Sequence, residues 1–135
     1  MKKKYIKSFI IVILIFSSFM HLNMKSHEVL SRKSISVVDE IKSPNNEYKS
    51  VIFLDGGSAT VSNNIRVAVV KNSKKRIYDS DIVFLQSRVN YSRVKWDSNN
   101  ELVISYYDRG SDSIIKQIDS SKGIHIIYKK IEEDF

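Results

Sequence analysis

From Ser34 onward the chain is written in short runs of valine, isoleucine and tyrosine, separated by polar turns. That texture predicts a small all-β domain. Strands are expected at Ile35–Ile41, Tyr48–Leu54, Asn64–Lys71, Ile82–Leu85, Ser92–Trp96, Glu101–Tyr107, Ile114–Ile118 and Ile124–Tyr128. In the first, Ile35, Val37, Asp39 and Ile41 alternate onto one face. In the third, Ile65, Val67 and Val69 share a face. Every connection is short, so neighbouring strands are expected to pair antiparallel.

The turns carry matching chemistry. In Ser43-Pro44-Asn45-Asn46-Glu47-Tyr48 the proline presets φ, and the asparagines tolerate bridge and left-handed conformations. Lys71–Arg76 and Asp119–Gly123 read as further polar turns, with Gly123 at positive φ. The expected core is Ile52, Leu54, Val67, Val69, Val94, Trp96, Leu102, Ile104, Ile124 and Ile126. Val51 and Phe53 are as apolar as their neighbours, so both faces of that strand are candidates for cover.

The opening of the chain has a different texture. Lys2, Lys3, Lys4 and Lys7 precede an unbroken apolar run from Phe9 to Phe16, which Phe19 and Met20 extend past Ser17 and Ser18. Eight consecutive large apolar residues leave no polar face for water, which excludes a surface helix. The run fits a secretory signal or an N-terminal anchor with the lysines held on the cytoplasmic side. Ser17, Ser18 and Ser26 supply small residues but no A-x-A cleavage pattern. The expected organisation is a signal peptide or anchor helix over residues 1–24, a polar linker over 25–33, a β domain over 34–131 and a tail over 132–135. The fold class is thus all-β, a small antiparallel meander or sandwich resembling a propeller blade, after an N-terminal hydrophobic helix. The expected location is the cell membrane, single-pass with the C-terminal domain outside, or secretion.

Charge changes the picture little. The net charge is +7, but from Ser8 onward 18 basic residues face 15 acidic ones. A nucleic-acid partner would call for a clustered basic face in the folded part, and none is expected. The chain has no cysteine, which excludes disulfides, thiol chemistry and a lipidated cysteine. His21, His27 and His125 are badly placed for a metal, so no metal and no cofactor are expected.

Ser43-Pro44-Asn45-Asn46-Glu47-Tyr48, Gly56-Gly57-Ser58-Ala59-Thr60, Val94-Lys95-Trp96 and Leu102-Val103-Ile104-Ser105-Tyr106 stand in an ordered series. Together they resemble a family of small uncharacterised bacterial envelope proteins, whose pattern runs S-P-D-G-K-Y, G-A-T, V-x-W and L-x-I-x-Y. The resemblance spans Ser43 to Tyr128. It implies a compact β domain behind an N-terminal signal or anchor, and no established activity or catalytic residue. Asn45-Asn46 stands where that pattern has Asp-Gly, and Ser58 is inserted before Ala59-Thr60.

Two stretches are candidate contact sites. Asp55, Gly56, Gly57, Ser58 and Thr60 form a loop whose amides suit an anion, although a strand rather than a helix follows it. A simple chain reversal explains the same residues. Lys71, Lys74, Lys75 and Arg76 form a basic tip suited to an anionic lipid or envelope polymer, or to plain solvation. Asp108, Gly110, Asp112 and Asp119 echo a calcium loop only loosely, with glycine at the third ligand position and Ser113 at the sixth. Trp96, Tyr106 and Tyr107 suit either an aromatic platform or core packing. No nucleophile–base pair and no catalytic residue emerges, so an enzyme is not expected. The expectation is a non-enzymatic β domain that binds a protein or an anionic envelope partner at the cell surface. The alternative is an immunity-type protein that neutralises a toxin or bacteriocin.

Overall fold

A computed structural model describes residue 11 and residues 27–57, 62–108, 110 and 113–132. The expected N-terminal helix lies outside the described residues, save Ile11. Among the described residues, no helix is long and apolar enough to cross a membrane.

Among the described residues, nine strands form two sheets. They are β1 Ile35–Lys42, β2 Tyr48–Asp55, β3 Asn64–Lys71, β4 Ile82–Ser87, β5 Arg93–Ser98, β6 Glu101–Tyr107, β7 Ile114–Gln117, β8 Ser120–Ser121 and β9 Ile124–Ile131. The first sheet runs β1-β2-β3-β4-β7 and the second β5-β6-β9-β8. The architecture is therefore a sandwich, and a lone propeller blade does not describe it.

One pairing departs from the antiparallel expectation. β6 and β9 lie parallel, with Leu102 opposite Ile126 and Ile104 opposite Tyr128. Between them the chain crosses to the first sheet for β7, then returns through the short β8. That excursion supplies the long connection a parallel pair requires. The β8–β9 turn has Lys122 at φ 55° and Gly123 at φ 79°. Two successive positive φ values match the right-handed twist of a two-residue hairpin.

Ile52, Ile65, Val67, Val69 and Phe84 of the first sheet meet Val94, Leu102, Ile104, Ile124 and Ile126 of the second in the inner core. Leu54 and Trp96 pack at its margin. Phe84 is fully buried, with Tyr106 and Tyr128 rings at 5.8 and 5.6 Å. Burying a side chain of this size contributes about 1.5–3 kcal/mol.

A second apolar cluster covers the outer face of the first sheet. It contains Val29, Ile35, Val51, Phe53, Ala68, Val70, Ile77 and Ile82. Val29 comes from the stretch expected to end a linker. Residues 27–33 instead pack onto the sheet, through a Glu28–Tyr78 bridge and a bond from Val29 N–H to the Ile77 carbonyl at 2.8 Å.

Bulges let two strands serve both clusters. In β1 the register shifts between Val37 and Asp39. Ile35 therefore joins the outer cluster while Ile41 packs against the inner one, although the two share parity. The single alternating face expected for β1 is corrected accordingly: an inserted residue flips every side chain after it. β3 and β4 shift register between Val67 and Ala68, so Ile82 faces out and Phe84 faces in.

Candidate functional site

The described residues offer three polar or half-open places: the loop after β2, the basic tip after β3, and a hollow at the sandwich edge.

The described start of the loop after β2, from Asp55 to Gly57, is held by bonds within the chain. Asp55 accepts from Ser34 Oγ at 2.7 Å and from the Arg66 guanidinium at 3.0 Å. Burial works against ionisation of Asp55, but the Ser34 and Arg66 hydrogen bonds outweigh it and hold the carboxyl below its ordinary value. Gly56 N–H donates to the Ser34 carbonyl at 2.9 Å, and Gly57 N–H to Asn63 Oδ1 at 2.8 Å. Both glycine amides are thus engaged inside the protein, which favours chain reversal over an anion nest. Ser58 and Thr60 lie outside the described residues.

At the basic tip the four cations separate into two kinds. Lys71, Lys75 and Arg76 are exposed. Lys74 turns inward to Asp81 Oδ2 at 2.7 Å, its ammonium 5.3 Å from the Tyr78 ring centroid. Asp81 is buried. It also accepts from Tyr78 N–H at 3.0 Å and from Lys122 Nζ at 2.9 Å. Lys122 donates again to the Val69 carbonyl at 2.8 Å, one residue past the last β3–β4 pair, Ala68–Ile82. Burial disfavours the Asp81 carboxylate, yet the bonds from Lys74, Tyr78 and Lys122 hold its pKa below the ordinary value. A charge so enclosed persists only when paired and hydrogen-bonded. Asp81 and Lys122 are separated by 41 positions in sequence and carry no local signature.

The hollow lies where β1 approaches the stretch before β5. Val38, Asp39, Ile41, Ile52, Tyr91 and Arg93 are among its lining residues, and its volume is about 170 Å³. Val38 and Tyr91, on its lining, remain 52% and 48% exposed, large apolar groups left in water. Trp96 Nε1–H donates to the Ile41 carbonyl at 2.9 Å and closes the far end of this edge. β1 is a terminal strand of its sheet. In the sequence Val38 falls off the alternating face of Ile35, Val37, Asp39 and Ile41, and Tyr91 stands alone in a loop, so neither carries a local signal of this hollow.

The other expected features resolve into structure. Trp96 and Tyr106 pack against the inner core, so they form no aromatic platform with Tyr107. Asp108 caps Gly110 N–H at 3.1 Å and pairs with Lys130, which together hold its carboxyl below the ordinary value. Asp112 lies outside the described residues. No group of three or more histidine or acidic side chains disposed to hold a metal occurs among the described residues.

No curated protein and no solved structure matches the chain. Among protein families, residues 2–109 match one described as a family of unknown function, DUF5412. The match runs from the opening lysines through the apolar run and on past the end of β6. With four-fifths of its length matched, the chain belongs to the DUF5412 family.

Proposed function

We propose that this protein is a non-enzymatic β-sandwich held at the bacterial cell surface by its N-terminal segment, or exported through it, and that it binds a partner protein there. The basic start followed by the apolar run supports the location, as does the resemblance to small bacterial envelope proteins. The single observation that carries the binding reading is the pair of exposed apolar residues, Val38 and Tyr91, on the lining of the hollow beside β1. An extended segment of the partner is the occupant that fits. A polypeptide alone offers N–H and C=O groups at the period of a terminal strand, with side chains for the hollow. Asp39 and Arg93 at its wall give opposite charges for reading that segment's register. The bulge at Val38, with Asp39 and Glu40 beside it, restrains indiscriminate pairing at this edge.

The test is site-specific photo-crosslinking of the full chain in cells. With the crosslinker at Tyr91, one adduct of defined mass is expected, joined through an extended segment mapped by mass spectrometry and lost on Val38→Lys. The same adduct from a crosslinker at Ile115, exposed on the other terminal strand of the sheet, would contradict the assignment. So would no adduct at Tyr91.

A further inference from the structure

We propose that Lys71, Lys75 and Arg76 form a membrane-facing foot, a patch that rests on anionic phospholipid headgroups and fixes how the sandwich stands on the bilayer. This rests on the anchored reading above and adds an orientation to it.

His27 accepts from Asp79 N–H at 2.9 Å, Glu28 bridges Tyr78, and Val29 N–H bonds to Ile77 at 2.8 Å. These contacts fasten the start of the domain to the segment that directly follows Arg76. Asp79 is three residues from Arg76, a span of about 11 Å at most. On the other side, an anchor ending at Met24 leaves only residues 25 and 26 before His27, again about 11 Å of chain. A domain held on so short a tether must lay one end against the headgroups, and the contacts of His27–Val29 decide which end.

The charge at that end suits the surface. Lys71, Lys75 and Arg76 are exposed. The nearby acids are engaged elsewhere: Asp81 with Lys74 and Lys122, and Asp79 with Arg32 at 2.7 Å. Glu47, in the neighbouring turn, accepts from a neutral amide, Asn45 Nδ2 at 3.4 Å, so its carboxylate offsets one cation of the patch. The lysine pair on Asp81 leaves one further positive charge behind the patch. Near an anionic surface each such cation strengthens association about fivefold, and salt weakens it. Loop 88–92 lies at the opposite end, where Asn90 meets Asn63 beside the start of β3. The length of β3 separates the two ends by about 23 Å.

The experiment uses the full chain in lipid vesicles, with an environment-sensitive fluorophore on Ser73→Cys at the tip or on Asn90→Cys at the far end. The vesicles carry a headgroup nitroxide quencher and are made either of phosphatidylcholine alone or with phosphatidylglycerol added. Strong quenching at position 73 only with phosphatidylglycerol, weak quenching at 90, and loss of the difference in Lys71→Glu/Lys75→Glu/Arg76→Glu are expected. A chain that inserts but shows equal quenching at 73 and 90 in both lipids overturns the foot and leaves the anchor standing. A chain that fails to insert in either lipid overturns the anchored reading and the foot with it.

Discussion

Lys122 Nζ stands 2.9 Å from Asp81 Oδ1. Lys122 belongs to the turn before β9 in the second sheet, and Asp81 to the 3-10 turn that leads into β4 of the first. With Lys74 on the other carboxylate oxygen, Asp81 gathers the basic tip, the first sheet and the second at one buried point. The lysines are a third exposed, so solvent screening reduces what the pairs contribute. The carboxylate itself is enclosed, and removing its charge strands both ammonium groups. Asp81→Asn is expected to cost about 2 kcal/mol and Lys122→Met about 1 kcal/mol. Urea unfolding checks this: the midpoint should fall while the slope stays constant.

Acid should weaken the fold through the same carboxylates. Asp81 and Asp55 both have folded pKa values below the ordinary 3.8. A depressed folded value contributes stability that is complete above the unfolded value and lost as pH falls through the folded one. Thermal midpoints should be level from pH 7 to about 5 and drop below about 4. In the Asp81→Asn/Asp55→Asn variant the starting midpoint is lower and the acid drop shallower. An equally steep drop in that variant would assign the acid sensitivity to other groups.

At the alkaline end, Tyr128 governs. Its hydroxyl donates to the Ile118 carbonyl at 2.7 Å and accepts from Ile118 N–H at 3.1 Å. Burial pushes its pKa up to about 12. The sign is now reversed: this contribution is complete below the unfolded value of 10 and lost as pH rises toward 12. Absorbance titration should show one tyrosine ionising only with unfolding. Tyr128→Phe should cost about 1 kcal/mol at neutral pH and abolish that late step.

Gly123 offers a test of backbone conformation alone. Its φ is +79°, and an added Cβ would meet nothing within 4 Å. Gly123→Ala should therefore cost about 1 kcal/mol through the left-handed backbone, and Gly123→Asn distinctly less. Chemical denaturation of the two variants side by side separates this from packing, since neither introduces a clash.

The sequence made much of this fold readable, for a physical reason. β3 and β6 lie where the runs Asn64–Lys71 and Glu101–Tyr107 place them, because strands with flanking turn residues are local patterns. Eight of the ten expected core residues are buried in the inner cluster, with Leu54 and Trp96 at its margin. Gly123 and Asn46 adopt the positive φ that their turns suggested. The parallel β6–β9 pair was not readable, because sequence shows that β7 exists but not that it crosses to the other sheet. The bulge at Val38 was hidden by intact alternation on either side of it. Asp81 looked like one more turn acid, since its partners Lys74 and Lys122 come from separate turns. The hollow beside β1 needed the bulge and the Tyr91 loop together, and neither announces itself alone.

The most direct measurement is the intact mass of the protein in each cell fraction, together with protease accessibility from outside the cell. Full-length mass in the membrane fraction, with the β domain cleaved by external protease, is the result expected for an anchored surface protein. A shortened form in the medium would assign the export route instead. Full-length protein found only in the cytoplasm, free of membrane, would contradict the surface location on which the proposed function stands.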